Sequence, residues 1–367
     1  MKEKICLIGG GNGGFAISAD MALAGYRVSL WEDEKFAAGI AELMKTKTIT
    51  LTGASRNGDA HLYKVTTDLA DAVSDVDVII VSMPAFAQES MALRLSKVVH
   101  AGQIVFLCPG ATGGALVYGR VFHEQGVKGV RICEVQTMPY STRKSGPCSS
   151  HTKILVKKLY FAAFPAKDTD SCYEVLHPMY PAITKVQNVM ETALNNGNIV
   201  SHAPVMVLNA GRIAADNTTY GHYKDGISKD VAKVLDAIND ECMAICRSFG
   251  IEETTNAERH FITGYTDKLY DNSYDSYHGS YSFNLAIGPT TLNSRYLTED
   301  APFSMVCLSS LAHEIGLETP LMDAVANLGG ALMGTDYWKN GRTVWNLGLQ
   351  GKTIEEMKDF LKNGYQD

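Results

Sequence analysis

The sequence predicts an α/β domain built on a doubly wound parallel sheet, followed by an all-helical domain. Three observations support this prediction: a glycine-rich segment directly after an N-terminal apolar run, further short apolar runs that alternate with helical stretches, and long amphipathic patterns after about residue 185. A chain of 367 residues is long enough for two domains. We place them at residues 1–185 and 186–367.

Short apolar runs predict the strands of the first domain. The candidates are residues 4–8, 26–31, 76–82, 103–108 and 130–135. Their length and their glycine, proline or polar boundaries are typical of buried strands. Strands that alternate with helices imply a parallel sheet with helices on both faces.

Amphipathic patterns predict the helices of the second domain. Residues 228–249 place apolar side chains on one stripe, with Ser228 as N-cap and Gly250 as the stop. Thr353 and Glu356 have the spacing of a capping box before a last helix. Tyr, Ser, Asp, Asn and Gly dominate residues 264–300, which favours irregular structure of the kind that often carries function.

Composition excludes several classes of protein. The net charge of −7 disfavours nucleic acid and anionic membranes as partners. The apolar run at 5–8 is too short for a signal peptide or a membrane span, so we expect a cytoplasmic protein. The eight cysteines form no CxxC pair, which predicts buried, reduced thiols and no metal site.

The glycine-rich segment matches the G-x-G-x-x-G pattern of a Rossmann domain. Gly9 permits the turn after the strand, Gly11 leaves room for a pyrophosphate, and Gly14 allows close packing of helix on strand. Asn12 and Gly13 complete the loop before a helix predicted at residues 14–24, whose N-terminus attracts phosphate. These residues predict a dinucleotide site.

An acidic residue about 20 positions after the loop predicts the choice of dinucleotide. The second strand ends in Glu32-Asp33, and a carboxylate there accepts hydrogen bonds from the adenosine ribose and repels a 2′-phosphate. We therefore expect NAD, and of the two carboxylates we favour Glu32. Pro84, and the Pro109-Gly110 pair, follow two further strands, where ligands of such sheets bind, although simple turns explain them equally well.

A proton carrier is expected on the second domain, because dehydrogenases need one beside the hydride. His202 stands at a break or a helix start, since Pro204 forbids a regular helix through it. Asp300 can orient such a histidine or cap the helix that follows, and Arg295 can hold a carboxylate or form a surface ion pair. Their spacing in the sequence does not show whether residues 202 and 300 lie close together in the fold.

These segments together resemble the opine dehydrogenase family, which includes octopine and nopaline dehydrogenases. The resemblance rests on GGGNGG at 9–14, PGATGGAL at 109–116, LNAGR at 208–212 and RYLTED-x-P at 295–302. It implies a Rossmann domain and an all-helical domain with the site in the cleft between them. It also implies reductive condensation of an α-keto acid, often pyruvate, with the amino group of an amino acid.

The resemblance also implies roles for particular residues. The catalytic histidine and aspartate of the family fall on His202 and Asp300, and its arginine falls on Arg295. Glu134, just after a strand, is a candidate contact for the amino acid. We expect small-molecule substrates only, and a homodimer through the helical domain.

Two other functions fit parts of the sequence. A dehydrogenase of the 2-hydroxy acid, glycerol-3-phosphate or ketopantoate type would need a catalytic lysine, for which Lys224 and Lys229 are available without a supporting motif. A non-catalytic NAD sensor would keep the glycine loop without needing His202, Arg295 and Asp300.

Overall fold

The computed structural model describes residues 2–215 and 220–366, which form two compact units. Unit 1 comprises residues 2–110, 114–189 and 362–366. Unit 2 comprises residues 111–113, 190–215 and 220–361.

All strands of the described residues belong to unit 1. They are β1 (Lys4–Ile8), β2 (Arg27–Trp31), β3 (Thr48–Gly53), β4 (Gly58–His61), β5 (Lys64–Thr66), β6 (Val78–Val81), β7 (Ile104–Leu107), β8 (Arg131–Val135), β9 (Tyr140–Gly146), β10 (Ser149–Leu155), β11 (Leu159–Phe164) and β12 (Ile183–Lys185). The five strands expected from the apolar runs are β1, β2, β6, β7 and β8, each within two residues of its predicted bounds.

The main sheet has eight strands in the order β12-β11-β8-β7-β6-β1-β2-β5. The six strands from β5 to β8 are parallel and follow the strand order of a Rossmann fold. Beyond them β11 runs antiparallel to β8, and β12 runs parallel to β11. The predicted Rossmann domain is confirmed, with two additional strands at one edge.

A second sheet of four strands, in the order β4-β3-β10-β9, was not expected from the sequence. It packs against the first helix, α1 (Asn12–Leu23). Hence α1 is covered both by the main sheet, on which β1 and β2 contact it, and by the small one. This explains why eight consecutive residues of α1, from Gly14 to Met21, are buried.

The remaining helices of unit 1 are mostly short. They are α2 (Ala41–Thr46), α3 (Leu69–Val73), α4 (Ala85–Leu95), α5 (Gly114–Glu124) and α6 (Thr169–Leu176), with 3₁₀ turns at Glu34–Ile40 and Ala166–Asp168. Helix α7 (Val189–Leu194) begins at the last residue of this part of unit 1 and continues into unit 2.

Unit 2 is helical, as predicted. Its helices are α8 (Asn198–Ser201), α9 (Ala203–Leu208), α10 (Ala210–Ala215), α11 (Lys229–Phe249), α12 (Asn256–Thr263), α13 (Ser273–Gly279), α14 (Tyr281–Asn284), α15 (Arg295–Thr298), a π-helical turn (Ala301–Met305), α16 (Val306–Glu314), α17 (Pro320–Met333), α18 (Tyr337–Asn340) and α19 (Ile354–Asn363). The last two residues of α19 fall in unit 1.

Local capping signals set the ends of the best-predicted helices. The Ser228 side chain accepts a hydrogen bond from Val231 N–H, and Gly250 ends α11 at a φ of 69°. Thr353 and Glu356 form the expected reciprocal box before α19, with a bond of 2.7 Å from Thr353 N–H to the Glu356 carboxylate.

Two short segments depart from the predicted division at residue 185. Residues 111–113 belong to unit 2, because the Thr112 hydroxyl bonds Ser304 and Asn196 there. Residues 362–366 belong to unit 1, where Tyr365 stacks on His123 with ring centroids 4.0 Å apart.

Within the described residues, the helices all fall short of the length and apolar character needed to cross a membrane. Cytoplasmic location and the homodimer stay predictions of the sequence.

Candidate active site

The glycine loop of unit 1 has the geometry expected of a dinucleotide site. A Cβ on Gly14 would lie 1.7 Å from the Gly9 carbonyl oxygen, so the close contact of helix and strand needs glycine there. Gly9 itself has a φ of 105°, which favours glycine. A Cβ on Gly11 would meet nothing within 4 Å, so the space in front of the α1 N-terminus is open.

Two further residues of the predicted loop are fixed by their neighbours. The Asn12 side-chain oxygen accepts a hydrogen bond of 2.8 Å from Lys144 N–H on β9. A Cβ on Gly13 would lie 2.7 Å from the Ser82 hydroxyl, which follows β6. The loop therefore sits where β1 and β6 end, at the position where parallel sheets of this order bind ligands.

The two acidic residues at the end of β2 have different surroundings. Glu32 accepts hydrogen bonds of 2.8 Å from Gly10 N–H and from Asp33 N–H, and it remains half-buried beside the loop. Asp33 instead accepts from Lys35 N–H at 3.1 Å and from the Arg94 guanidinium at 2.5 Å. Although partial burial raises its pKa, these bonds hold the pKa of Asp33 below its usual value.

These residues fit a dinucleotide. The open face at Gly11 leaves room for a pyrophosphate, and the first N–H groups of α1 have no acceptor within the helix. Glu32 keeps lone pairs on both oxygens for a ribose, since each oxygen has two and only one is used.

The two proline loops after β6 and β7 differ in their constraints. Pro84 caps α4 and is half-buried. Pro109 follows a cis peptide bond, and Gly110 lies against Glu134, whose carboxylate would be 2.2 Å from a Cβ at Gly110.

Glu134 is a buried carboxylate at the N-terminus of α5. Its side chain is buried, with 1% of the residue exposed, and it accepts a hydrogen bond of 2.8 Å from Ala115 N–H in the first turn of α5. A carboxylate there is stabilised by the free N–H groups of the helix. The substrate contact that the sequence predicts for Glu134 stays a prediction.

In unit 2, His202 stands between two short helices. Helix α8 ends at Ser201 and α9 begins at Ala203, with Pro204 in its first turn. The break is the one expected from Pro204, which has no N–H to continue the helix. His202 N–H still donates to the Asn198 carbonyl, and the His202 carbonyl still accepts from Met206 N–H. Its imidazole is held by contacts from other segments.

The structure brings His202 and Asp300 together. His202 Nδ1 lies 2.9 Å from Asp300 Oδ2, although 98 residues separate them in the chain. A carboxylate only accepts, so Nδ1 carries a proton, and in the neutral form of the imidazole Nε2 presents a lone pair. Asp300 makes no side-chain cap to the following π-helical turn, so the capping interpretation of this residue is wrong.

Sequence reasoning missed three aromatic neighbours of this histidine. Tyr223 OH lies 3.1 Å from His202 Nε2, and Tyr296 stacks on the imidazole with centroids 3.8 Å apart and planes 9° apart. The His222 ring approaches the rings of His202 and Tyr296 edge-on. The adjacent pair His222-Tyr223 and the position of Tyr296 beside Arg295 were the available signals.

Burial fixes the protonation states of two of these neighbours. Burial raises the pKa of Tyr223 well above 10, so its phenol stays protonated and donates to His202 Nε2. Burial, together with the nearby His202, lowers the pKa of His222 to about 3. His222 is thus neutral, with its Nε2–H donated to the Ser201 carbonyl at 3.0 Å.

Arg295 begins α15 and pairs with Glu299 one turn later. Its Nε–H donates to Glu299 Oε2 at 2.5 Å, and its side chain is 64% exposed while that of Glu299 is 10% exposed. The surface ion pair weighed from the sequence is therefore present. A guanidinium has five N–H donors, so this bond fixes one edge and leaves the two terminal nitrogens for an anion.

Comparison with known proteins supports the resemblance noted in the sequence. The family described as NAD/NADP octopine/nopaline dehydrogenase, alpha-helical domain, matches residues 185–333. An opine dehydrogenase of Arthrobacter sp. (strain 1C) is 33% identical, with 98% of this chain and 99% of that protein covered. The chain belongs to the opine dehydrogenase family. Membership makes it an NAD-dependent oxidoreductase that acts on CH–NH bonds, as expected.

Further comparisons match either the N-terminal part of this opine dehydrogenase family member or its whole length. The N-terminus of NAD-dependent glycerol-3-phosphate dehydrogenase matches residues 4–114. Octopine dehydrogenase of Pecten maximus is 22% identical over 100% of this chain and 97% of that protein. A solved octopine dehydrogenase, titled as a complex with NADH and agmatine, superimposes with a TM-score of 0.81 at 18% identity over 100% and 99% of the two chains.

Proposed function

We propose that this protein condenses an α-keto acid, with pyruvate as first candidate, with the amino group of an amino acid and reduces the product to an N-(1-carboxyalkyl) amino acid. The observation that carries the proposal is the 2.9 Å contact of His202 with Asp300. It gives the helical unit a proton carrier with a fixed tautomer, which the condensation needs.

His202 would serve both proton transfers of the condensation. The amino group must lose a proton before its nitrogen bonds to the keto carbon, and the resulting hydroxyl must gain one before it leaves as water. Nε2 of His202 presents the lone pair for the first transfer and returns the same proton in the second. Asp300 holds the ring through Nδ1 and stabilises the imidazolium between the two steps.

Tyr223 affects how the substrate reaches that nitrogen. Its hydroxyl donates to Nε2 at 3.1 Å, so an amine must share or replace this bond before it gives up a proton. Because a hydroxyl also accepts, Tyr223 can turn to accept from Nε2–H once His202 is protonated.

Arg295 would bind the carboxylate of the keto acid. Its Nε–H is committed to Glu299, which orients the guanidinium plane. The two terminal nitrogens match the spacing of carboxylate oxygens, and such bidentate pairs are stronger than single hydrogen bonds.

Unit 1 would hold the cofactor through Gly9, Gly11, Asn12, Gly13, Gly14 and Glu32, with Pro84, Pro109 and Gly110 in the neighbouring loops. When bound, NADH supplies the hydride that reduces the C=N bond. Glu32 is favoured over Asp33 for the ribose, because Asp33 is already paired with Arg94 and Lys35 N–H.

The relatives support this reaction class. The 33% identical relative is named an opine dehydrogenase. Structures of octopine dehydrogenase are titled as complexes with NADH and L-arginine, and with NADH and pyruvate.

The test is a screen of NADH oxidation with pyruvate alone, and with pyruvate plus each common amino acid. We expect turnover only when an amine is present. The variant His202→Asn should lose about 10²–10⁴-fold in kcat, because general acid–base catalysis contributes that much. His100→Asn, an exposed histidine on unit 1, is the control and should keep full activity.

Two outcomes would contradict the proposal. Turnover with a keto acid and no amine would favour a hydroxy-acid dehydrogenase, whose catalytic lysine would have to be Lys224 or Lys229, both exposed here. NADH binding without turnover on any substrate pair would favour a sensor.

A further inference from the structure

The face of the His202 imidazole is covered by an aromatic ring. Tyr296 lies parallel to it, with centroids 3.8 Å apart and planes 9° apart. Ser294 caps α15 and accepts a hydrogen bond of 3.4 Å from Tyr296 N–H, which fixes the start of the helix that carries the ring. The stack is therefore set by backbone that does not involve His202.

Every polar position of the imidazole is also occupied. Asp300 meets Nδ1 and the Tyr223 hydroxyl meets Nε2. His222 approaches with its centroid 6.0 Å away and stays neutral, so it adds no positive charge beside His202. Asp300 and the ring of Tyr296 are thus two contacting groups that favour the charged form of His202.

Several charged groups on the surrounding helices have other partners. On α15, Arg295 and Glu299 neutralise each other. Helices α11 and α17 pack against α9. Three of their acidic groups bind other partners: Asp236 binds the Ser273 hydroxyl, Glu241 accepts from the N–H groups of Leu321 and Met322, and Asp323 pairs with His313.

We propose that Tyr296 is a positioning residue that holds the plane of His202 and stabilises its imidazolium through the π face of the phenol ring. The inference rests on the proposed function, in which His202 carries a proton between two steps. A cation over an aromatic face is attracted by the ring quadrupole, and more strongly where water is excluded. His202 is 7% exposed, so the stack acts in such a place.

The test lowers the electron density on the face of the ring at position 296 while nearly keeping the size of the ring. Tyr296→Phe is compared with a series of phenylalanines carrying one, two and three fluorines at position 296, since fluorine withdraws charge from the ring face. The pKa of His202 is read by NMR titration of the histidine-labelled protein, with its signal assigned by its loss in His202→Asn.

We expect Tyr296→Phe to leave the pKa of His202 close to that of the parent protein, because the ring face is retained. The pKa should then fall stepwise with fluorine number, by about half to one unit in total. The pH at which kcat/KM rises should fall in parallel. NADH affinity, which depends on unit 1, should stay unchanged.

A pKa that does not vary across the fluorinated series would overturn the proposal. So would a shift already complete in Tyr296→Phe, which would assign the effect to the hydroxyl. Because the titration needs no turnover, it stands apart from the proposed reaction. A flat series in an amine-dependent enzyme refutes the stack alone, whereas a graded series in a protein without turnover refutes the reaction alone.

Discussion

The glycine loop of unit 1 and the histidine site of unit 2 are built in opposite ways. The loop consists of six consecutive residues whose backbone forms the site. Its geometry follows from close approaches that only glycine permits. The histidine site is made by side chains from residues 202, 223, 296 and 300, which meet only in the folded unit. A backbone site can be predicted from local sequence, whereas a side-chain site needs the tertiary structure.

The largest expected effect tests whether the histidine site depends on its carboxylate. Asp300→Asn keeps the size of the side chain but removes the charge that stabilises the imidazolium. We expect kcat to fall by about 10²–10⁴-fold while NADH affinity is unchanged, as measured by steady-state kinetics and fluorescence titration.

A second histidine–aspartate pair in the same unit supplies the control. His313 Nε2 lies 3.2 Å from Asp323 Oδ2, with side chains 44% and 28% exposed. Asp323→Asn should therefore leave kcat within a few fold of the parent protein. Equal losses in the two variants would mean that Asp300 acts through stability, and the contrast between the two pairs would disappear.

An effect of intermediate size is expected in the glycine loop, where two glycine variants separate helix packing from cofactor binding. Gly14→Ala places a Cβ 1.7 Å from the Gly9 carbonyl, whereas Gly11→Ala places one in open space. Alanine normally stabilises a helix by about 1 kcal/mol over glycine. We expect Gly14→Ala instead to lower the free energy of unfolding by about 3 kcal/mol, and such a loss would come from the steric clash with Gly9.

Gly11→Ala should keep its stability within about 1 kcal/mol, because its φ of −76° and ψ of −167° suit alanine. Its NADH affinity should nevertheless fall by about 30-fold, since the methyl group takes space that the pyrophosphate needs. Chemical denaturation and NADH titration of both variants give the two numbers. An unstable Gly11→Ala protein, or one with unchanged affinity, would contradict this division of roles.

The same contrast explains which parts of the fold the sequence predicts. The strands β1, β6 and β7 carry continuous buried apolar runs, and α11 carries its own caps, so local sequence predicts both. The four-stranded sheet is not, because β9 and β10 expose alternate residues and contain Ser, Thr, Lys and Arg in place of apolar runs. Their burial comes from packing on α1, which lies over a hundred residues earlier.

The site follows the same rule. His202 and Asp300 could be nominated from sequence, but the choice between capping and pairing for Asp300 depended on contacts made 98 residues apart. For Glu134 the sequence left the role open, because the end of a strand is a common place for both ligand contacts and helix-capping carboxylates. The structure adds the contact with the N-terminus of α5, at Ala115 N–H, which the sequence did not predict.

The smallest expected effect decides between adjacent carboxylates whose sequence positions are equivalent. Glu32→Gln removes the charge beside Gly10 N–H, so NADH affinity should fall by about tenfold, while NADPH affinity should fall less or rise, because repulsion of its 2′-phosphate is relieved. Fluorescence titration with both nucleotides measures the ratio.

Asp33→Asn is the matched variant. Its carboxylate is held by Arg94 and Lys35 N–H, so losing its charge should leave the ratio of NADH to NADPH affinity close to that of the parent protein. If Asp33→Asn changes that ratio and Glu32→Gln does not, the ribose carboxylate is Asp33, and the hydrogen bond from Gly10 N–H makes Glu32 a structural part of the loop. In that case even the backbone site would depend on a side-chain contact that local sequence does not reveal.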